Sequence, residues 1–255
     1  AGDRPLPLVL MLHGCTQNPD DFAAGTAMNA LARAQGFYVL YPAQSQQANP
    51  QRCWNWFKHS HQQRGRGEPA LLAGMTQAVM GQHAIDADRV YVAGLSAGGA
   101  MAAILAGAYP ELYAAAGVHS GLAAGSASDL PSALAAMRQG GPLRTAAGQG
   151  VPTIVFHGDG DTTVHPANGE QVAAASAGAD AAAEVTQATA PGGRRYSRTV
   201  YRQGDGVVAE HWRVHGTPHA WSGGTAQGSY TDPRGPDASA EMLRFFLEHP
   251  RGSAQ

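Results

Sequence analysis

Short apolar runs alternate with helical stretches along this chain, and this alternation limits the folds that it can adopt. The runs occupy residues 7–13, 37–41, 89–93, 114–119 and 152–157. The helical patterns cover residues 18–35, 69–83, 97–109, 167–177 and 237–248. A strand that is buried on both faces is a continuous apolar run, and strand–helix alternation favours a mostly parallel sheet with helices on both faces. The sequence therefore predicts an α/β fold.

The remaining segments fit a single domain over residues 1–255. A chain of 255 residues can bury a full hydrophobic core without disulfides or metals to support it. Residues 196–203 and 207–215 alternate around a Gly-Asp-Gly turn, which predicts a hairpin. Residues 178–195 are predicted to be a mobile loop, and residues 121–150, which are rich in Gly, Ala and Ser, are a candidate lid or cap.

Composition excludes several classes of partner. A net charge of −2 at pH 7 provides no basic surface of the kind that binds nucleic acid. No run approaches the roughly 18 apolar residues that a membrane span needs, and no spacing of Cys and His is typical of a zinc site. We therefore expect no nucleic-acid partner, no membrane partner, no metal and no cofactor, while the oligomeric state stays open.

The turn between the third predicted strand and the next helix carries a candidate nucleophile. Residues 94–99 read GLSAGG and place Ser96 between glycines. In a strand–turn–helix context, G-x-S-x-G is the nucleophile elbow of the α/β-hydrolase fold. Glycines permit the tight turn, and the helix N-terminus brings free N–H groups and partial positive charge close to the hydroxyl. Because the bare pattern is weak, a glycine-rich turn with an incidental serine is the alternative.

An elbow serine needs a base and an acid that orients the base, and in this fold they follow in the order Ser, Asp or Glu, His. Asp161 follows the fifth predicted strand, where a carboxylate points into the crevice above the sheet. Asp159 lies between two glycines, as turn residues do, and is the fallback. His219 lies on the loop after the last strand and can swing over the sheet, whereas His211 and His215 lie within that strand or at its end.

Acyl transfer also needs N–H donors for the oxyanion that forms during attack. The predicted donors are the amide of Ala97, directly after the nucleophile, and the amide of Cys15, on the loop after the first strand. His13 is predicted to brace that loop.

Cys15 and Cys53, the only two cysteines, are predicted to form one bridge. The bridge would tie the oxyanion loop to the loop that holds Trp54 and Trp56, and it would imply an oxidising compartment. A thiol nucleophile at Cys15 is the disfavoured alternative because Cys15 has no elbow. Trp54, Trp56 and Trp221 are candidate walls of the substrate pocket, with ordinary packing as the alternative for each.

Several segments together resemble the polyhydroxybutyrate depolymerase family of esterases, over about residues 6–224. They are residues 12–17 (LHGCTQ), 53–57 (CWNWF), 94–101 (GLSAGGAM) and 219–221 (HAW). The resemblance implies an α/β-hydrolase domain with a triad of Ser96, Asp161 and His219, with Cys15 at the oxyanion loop and without a metal. It also implies hydrolysis of short-chain 3-hydroxyalkanoate esters, that is, poly- or oligo-3-hydroxybutyrate. The family is similar to feruloyl and acetyl-xylan esterases, which are the alternative function.

Two departures from the family modify this expectation. The chain begins at what would be the family's first central strand, so upstream edge strands are expected to be missing or trimmed. It is also expected to lack the linker and polymer-binding module of many secreted members, which would favour oligomers, amorphous polymer or small esters as substrates. A secreted or periplasmic location is expected, with action on granules inside cells as the alternative. A binding module without activity and a peptidase of the same fold are further rivals.

Overall fold

The computed structural model describes residues 4–142 and 150–252, which build a central eight-stranded sheet and a separate two-stranded pair. The strands are β1 (Leu6–Leu12), β2 (Tyr38–Leu40), β3 (Ile85–Leu95), β4 (Ala115–His119), β5 (Thr153–Gly158), β6 (Ala182–Thr189), β7 (Arg195–Gln203), β8 (Gly206–Val214), β9 (Trp221–Ser222) and β10 (Thr231–Asp232). The helices are α1 (Pro19–Thr26), α2 (Met28–Gln35), α3 (Gly67–Gln82), α4 (Ala97–Ala108), α5 (Leu130–Gln139), α6 (Ala167–Ala177) and α7 (Ala238–Glu248). Within the described ranges, no helix combines the length and apolarity needed to cross a membrane.

The strand order of the large sheet is β2-β1-β3-β4-β5-β8-β7-β6. Pairing is parallel from β2 to β8 and antiparallel from β8 through β7 to β6. The mostly parallel α/β sheet and the hairpin of β7 and β8 are therefore confirmed. Because parallel strands end at the same edge of a sheet, the loops after β1, β3, β5 and β8 meet there, which is where ligands bind in open α/β folds.

The central strands bury side chains on both faces, which explains their unbroken apolar sequences. Leu8, Leu10 and Leu12 of β1 enter a core that includes α3 and α4. The intervening Val9 and Met11 enter a second core that includes α7. Successive side chains of a strand point to opposite faces, so a strand between two layers of helices needs an apolar residue at every position.

Two predictions about the chain path are wrong. Residues 178–195, predicted to be a mobile loop, contain β6, which pairs with β7 along its whole length. Every residue of β6 is exposed, so the segment lacks the apolar alternation by which a strand is recognised. The helix predicted over residues 18–35 is divided into α1 and α2 at Ala27, whose φ of 53° is left-handed.

The candidate lid or cap at residues 121–150 contains one helix, α5. Asp129 caps this helix by accepting a hydrogen bond from the Ser132 amide, and the Ser132 side chain bonds back to the Asp129 backbone. Leu130 and Leu134 of α5 are large apolar side chains that remain 56% and 44% exposed. Residues 143–149 of the segment lie outside the described residues, and a lid role remains a prediction.

Candidate active site

The turn between β3 and α4 holds Ser96 in a conformation that is rare for residues other than glycine. The φ of Ser96 is 58°, and its amide donates a 2.9 Å hydrogen bond to the carbonyl of His119 at the end of β4. A Cβ atom on Gly94 would overlap the Gly98 carbonyl, and one on Gly98 would overlap the Leu12 carbonyl. Such strain persists only where the surrounding structure enforces it, and it concentrates at functional sites.

We expect Gly98→Ala to lower the free energy of unfolding by about 3 kcal/mol or more, because the methyl group would meet the backbone of β1 rather than a movable side chain. Gly107→Ala is the matched control within α4, since no atom lies within 4 Å of its Cβ position. The control is expected to raise stability by about 0.5–1 kcal/mol, as alanine does in a helix. Urea unfolding measures both, and similar effects of the two substitutions would contradict the packing argument.

Asp161 follows β5 and is held as a buried carboxylate. Its Oδ1 accepts hydrogen bonds from the amides of Thr163 and Val164, both at 2.9 Å. Its Oδ2 lies 2.7 Å from Nδ1 of His219 and 3.4 Å from Nε2 of His157. Burial by itself would raise the pKa of Asp161, but the two histidines and the Val164 amide outweigh burial and hold the pKa well below its usual range. The side chain is therefore a fixed negative charge beside His219.

His219 lies on the loop after β8 and lines the same cleft as Ser96. The contact with Asp161 occupies Nδ1, so Nε2 is the nitrogen left for chemistry in the cleft. Among the described residues, no hydrogen bond joins His219 to the Ser96 hydroxyl. Hydrogen bonds of this kind are often long before substrate binds. The structure thus brings the three predicted residues to one edge of the sheet and pairs two of them directly.

The fallback acid Asp159 pairs with His215, the histidine at the strand end, instead of joining this group. His215 Nδ1 lies 2.8 Å from Oδ2 of Asp159, and its Nε2 lies 2.9 Å from the Ser197 hydroxyl on β7. Asp159 also accepts a hydrogen bond from the Gly216 amide at 2.6 Å. His211 is buried between β5 and β7, and burial lowers its pKa to about 4. Asp159 and His215 thus join the loop that carries Asp161 to the loop that carries His219.

His157, which the sequence analysis does not single out, is a second neighbour of the buried acid. Its Nε2 lies 2.8 Å from the Val164 carbonyl, which identifies Nε2 as the protonated nitrogen. Its Nδ1 is buried without a partner among the described residues. The available signal in the sequence was that His157 lies near the end of β5, four residues before Asp161.

The amides of Cys15 and Ala97 are available as donors at the cleft. Gly14 donates its amide to the Gln17 side chain, Thr16 donates to the Gln51 carbonyl, and Ser96 donates to His119. For Cys15 and Ala97, no acceptor is present within the described part of the chain, and both residues line the cleft. This pattern suits them as oxyanion donors.

The predicted bridge between Cys15 and Cys53 is present, so no cysteine is free in the described chain. Beside it, the buried carboxylate of Glu68 accepts hydrogen bonds from the Gln44 side chain and from the backbone and side chain of Asn55. His13 completes the support: it bonds the Gly14 carbonyl through Nδ1 and accepts the Gln44 amide at Nε2. Burial lowers the pKa of His13, in agreement with a neutral brace.

Removing the bridge is expected to lower both stability and turnover. Cross-linking across 38 residues stabilises a protein by about 4 kcal/mol in the chain-entropy model, so the double variant Cys15→Ala/Cys53→Ala should lose stability of that order. Turnover is expected to fall about tenfold because the Cys15 amide loses its anchor. Urea unfolding and ester hydrolysis test this, with wild type under reductant as the parallel sample. Unchanged stability in both samples would refute it.

The cleft above Ser96 has a volume of about 670 Å³, and only one of the three candidate tryptophans reaches it. Trp56 lines the cleft beside Phe57. Trp54 is 2% exposed and donates its indole N–H to the His13 carbonyl at 3.0 Å. Trp221 is 1% exposed and donates to the Ser239 hydroxyl at 3.1 Å. The assignment of Trp54 and Trp221 to the pocket wall is wrong, because both indoles are satisfied inside the core.

Within the described ranges, no Lys, Arg, Asp or Glu lines this cleft. Its lining does include His219 and Tyr230. Its apolar side chains include Leu122, Leu134 and Met137. Over residues 4–142 and 150–252, no group of three or more His, Cys, Asp or Glu residues is arranged to hold a metal ion. The lining therefore favours an uncharged ligand.

Known proteins with similar sequences include a depolymerase and a feruloyl esterase. Poly(3-hydroxyalkanoate) depolymerase C of Paucimonas lemoignei is 37% identical over 175 residues, which are 64% of this chain and 42% of that protein. Feruloyl esterase B of Thermothelomyces thermophilus is 28% identical over 239 residues, which are 85% of this chain and 79% of that protein. The match thus spans less than half the length of the depolymerase.

Among solved structures, acetyl xylan esterase from Aspergillus awamori superposes with a TM-score of 0.76 at 22% identity, covering 97% of this chain and 90% of that one. At that identity the likeness establishes the α/β-hydrolase fold alone. The family model described as "Esterase PHB depolymerase" matches residues 1–199. That match covers well over half of the chain, which therefore belongs to the PHB depolymerase family of esterases.

Proposed function

We propose that this chain hydrolyses carboxylic esters through an acyl-enzyme on Ser96, with His219 as the base and Asp161 as the acid that orients it. The observation that carries the proposal is the 2.7 Å contact between Asp161 and His219 at the cleft that the elbow serine also lines. Asp161 keeps the proton of the neutral imidazole on Nδ1, so the lone pair of Nε2 faces the cleft and can accept the serine proton.

In the first half of the reaction, the Ser96 oxygen bonds to the ester carbonyl carbon while Nε2 of His219 takes the serine proton. The carbonyl oxygen becomes an oxyanion that the Cys15 and Ala97 amides stabilise, each donor being worth about 3 kcal/mol of barrier. When the oxyanion collapses, the bond to the alcohol oxygen breaks and His219 returns the proton to that oxygen. In the second half, the oxygen of a water molecule bonds to the acyl carbon while His219 takes one of its protons. When this second oxyanion collapses, the bond to the Ser96 oxygen breaks, His219 returns the proton to that oxygen, and the acid is released.

The proposed substrates are uncharged esters of short 3-hydroxyalkanoates, such as oligomers of 3-hydroxybutyrate. The family match, the 37% identity to a depolymerase and the uncharged cleft support this class. Esters of ferulate or acetylated xylan are the second candidate, supported by the long match to feruloyl esterase B. An oxidising compartment outside the cytoplasm is the proposed location, supported by the bridge between Cys15 and Cys53.

Two measurements test this function. A fluorophosphonate probe is expected to attach to Ser96, as located by mass spectrometry of the labelled peptide. A panel of 3-hydroxybutyrate trimer, methyl ferulate and acetylated xylan then ranks the substrates by kcat/KM, and we expect the trimer to rank first. Failure to form an adduct would favour a binding module of the same fold. A higher kcat/KM for ferulate or xylan ester would replace the substrate class but keep the chemistry.

A further inference from the structure

Tyr230 lies at the cleft beside His219, although nothing in the sequence patterns indicates it. Its ring meets the His219 imidazole edge-on, with centroids 6.2 Å apart and planes at 76°. Its hydroxyl lies 3.3 Å from the hydroxyl of Thr16 on the oxyanion loop. Tyr230 lines the cleft and is 45% exposed. The side chain thus joins the loop of the base to the loop of an oxyanion donor.

The backbone at Tyr230 is strained and held in place. Its φ is 51°, a left-handed value that a residue with a bulky side chain rarely adopts. The Tyr230 carbonyl accepts the Trp221 amide at 2.6 Å, and the neighbouring Ser229 carbonyl accepts the Gln17 side chain at 3.2 Å. Thr16 and Ser96, which share the cleft, also have positive φ, at 66° and 58°. Strain therefore concentrates around one side of this cleft.

The hydroxyl of Tyr230 is free to change partner. Thr16 donates its own hydroxyl proton to the Cys15 carbonyl at 2.6 Å, so in the contact between the two hydroxyls Tyr230 is the donor. At 3.3 Å that hydrogen bond is much longer than the usual 2.7–2.8 Å for two hydroxyls. An oxygen of a bound molecule can replace Thr16 as acceptor at small cost, and a bound hydroxyl can donate to the Tyr230 oxygen.

The position of His219 assigns this side of the cleft to the leaving alcohol. In the proposed reaction, His219 returns its proton to the alcohol oxygen, so the alcohol part of the ester must lie against the imidazole. We propose that Tyr230, with Thr16, forms the subsite for the leaving alcohol and selects alcohols that carry further oxygen atoms. This inference rests on the proposed function and specifies which part of the substrate the site recognises, namely the oxygen atoms of the leaving alcohol.

The apolar lining of the cleft at α5 suits the acyl group. Leu122 belongs to the apolar core that α5 contributes to, and Met137 packs against that core. Both residues line the cleft together with Leu134. The cleft thus combines a pair of hydroxyl groups near His219 with apolar side chains at α5. This combination fits an ester whose acyl side is an alkyl chain and whose alcohol side is a hydroxyacid unit or a sugar.

The test compares esters with the same acyl group and different alcohols. One pair is 3-hydroxybutyrate ethyl ester and the methyl ester of the 3-hydroxybutyrate dimer, read at the internal ester. The other pair is ethyl acetate and acetylated xylobiose. The pair that wild type cleaves faster is used for the comparison. For that pair, kcat/KM for the ester of the oxygen-rich alcohol is divided by kcat/KM for the ethyl ester. Tyr230→Phe should lower this ratio about fivefold, as the loss of one hydrogen bond does. Tyr230→Ala should lower it further.

A second measurement separates this role from general damage. The alcohol leaves before the acyl-enzyme reacts with water, so the rate of deacylation after a burst with p-nitrophenyl butyrate should be the same in Tyr230→Phe and wild type. Tyr38→Phe removes a hydroxyl from a tyrosine on β2, away from the cleft, and is the matched control. An unchanged ratio in Tyr230→Phe, or equal losses in acylation and deacylation, would overturn the inference. If Ser96→Ala keeps its turnover, the proposed function fails instead, whatever Tyr230 does.

Discussion

Ser96→Ala is expected to lower kcat for ester hydrolysis by at least about 10⁴-fold, because it removes the elbow hydroxyl that is proposed to form the acyl-enzyme. The fold should remain intact. Within the described residues the Ser96 hydroxyl has no hydrogen-bond partner. An alanine at position 96 can keep the hydrogen bond that the backbone amide donates to the His119 carbonyl. We expect the thermal midpoint to stay within about 2 °C of wild type, since no stabilising contact is lost.

The measurement pairs initial rates with labelling by the fluorophosphonate probe. Ser120→Ala is the matched control, because Ser120 also has a positive φ, of 51°, and follows the neighbouring strand β4. It lies at no helix N-terminus and should keep both the adduct and most of the activity. Near-wild-type hydrolysis by Ser96→Ala would show that another group is the nucleophile.

Asp161→Asn is expected to lower kcat about 10⁴-fold while KM changes little, because it reverses the proton position on His219. The asparagine oxygen can keep the hydrogen bonds from the Thr163 and Val164 amides. Its NH₂ group then faces Nδ1 of His219 and donates to it. The imidazole proton moves to Nε2, which can no longer accept the proton of Ser96.

Asp159→Asn is the matched control for the acid. Asp159 bonds His215 and the Gly216 amide rather than His219, so we expect its variant to keep kcat within about fivefold of wild type, as a change outside the reacting groups does. Steady-state kinetics on one ester compares the two. A large loss in Asp159→Asn with an active Asp161→Asn would reverse the assignment of the acid.

Local patterns predicted the parts of this protein that depend on nearby residues. The elbow could be predicted because the clashes at Gly94 and Gly98 arise within one turn and the adjoining strand. The parallel sheet could be predicted because β1 needs apolar residues at successive positions to fill two cores. β6 could not, since an exposed edge strand carries no apolar pattern.

The roles of particular side chains depend on contacts between distant parts of the chain. Trp54 and Trp221 flank the predicted site in sequence, yet their indoles bond to His13 and Ser239 and leave the cleft to Trp56. Tyr230 shows the reverse, since it reaches Thr16 across 214 positions. No periodicity or local motif encodes such a contact.

Local sequence was sufficient to predict the alternation of strands and helices, the strained serine turn and the order of the candidate acid and base, because sterics and burial act over a few residues. Which aspartate faces which histidine depends on the folded domain: Asp161 meets His219, and Asp159 meets His215. The folded domain also decides which aromatic rings border the cleft. These outcomes depend on how loops from separate strands pack together at one edge of the sheet, and that packing is fixed only when the whole domain has formed.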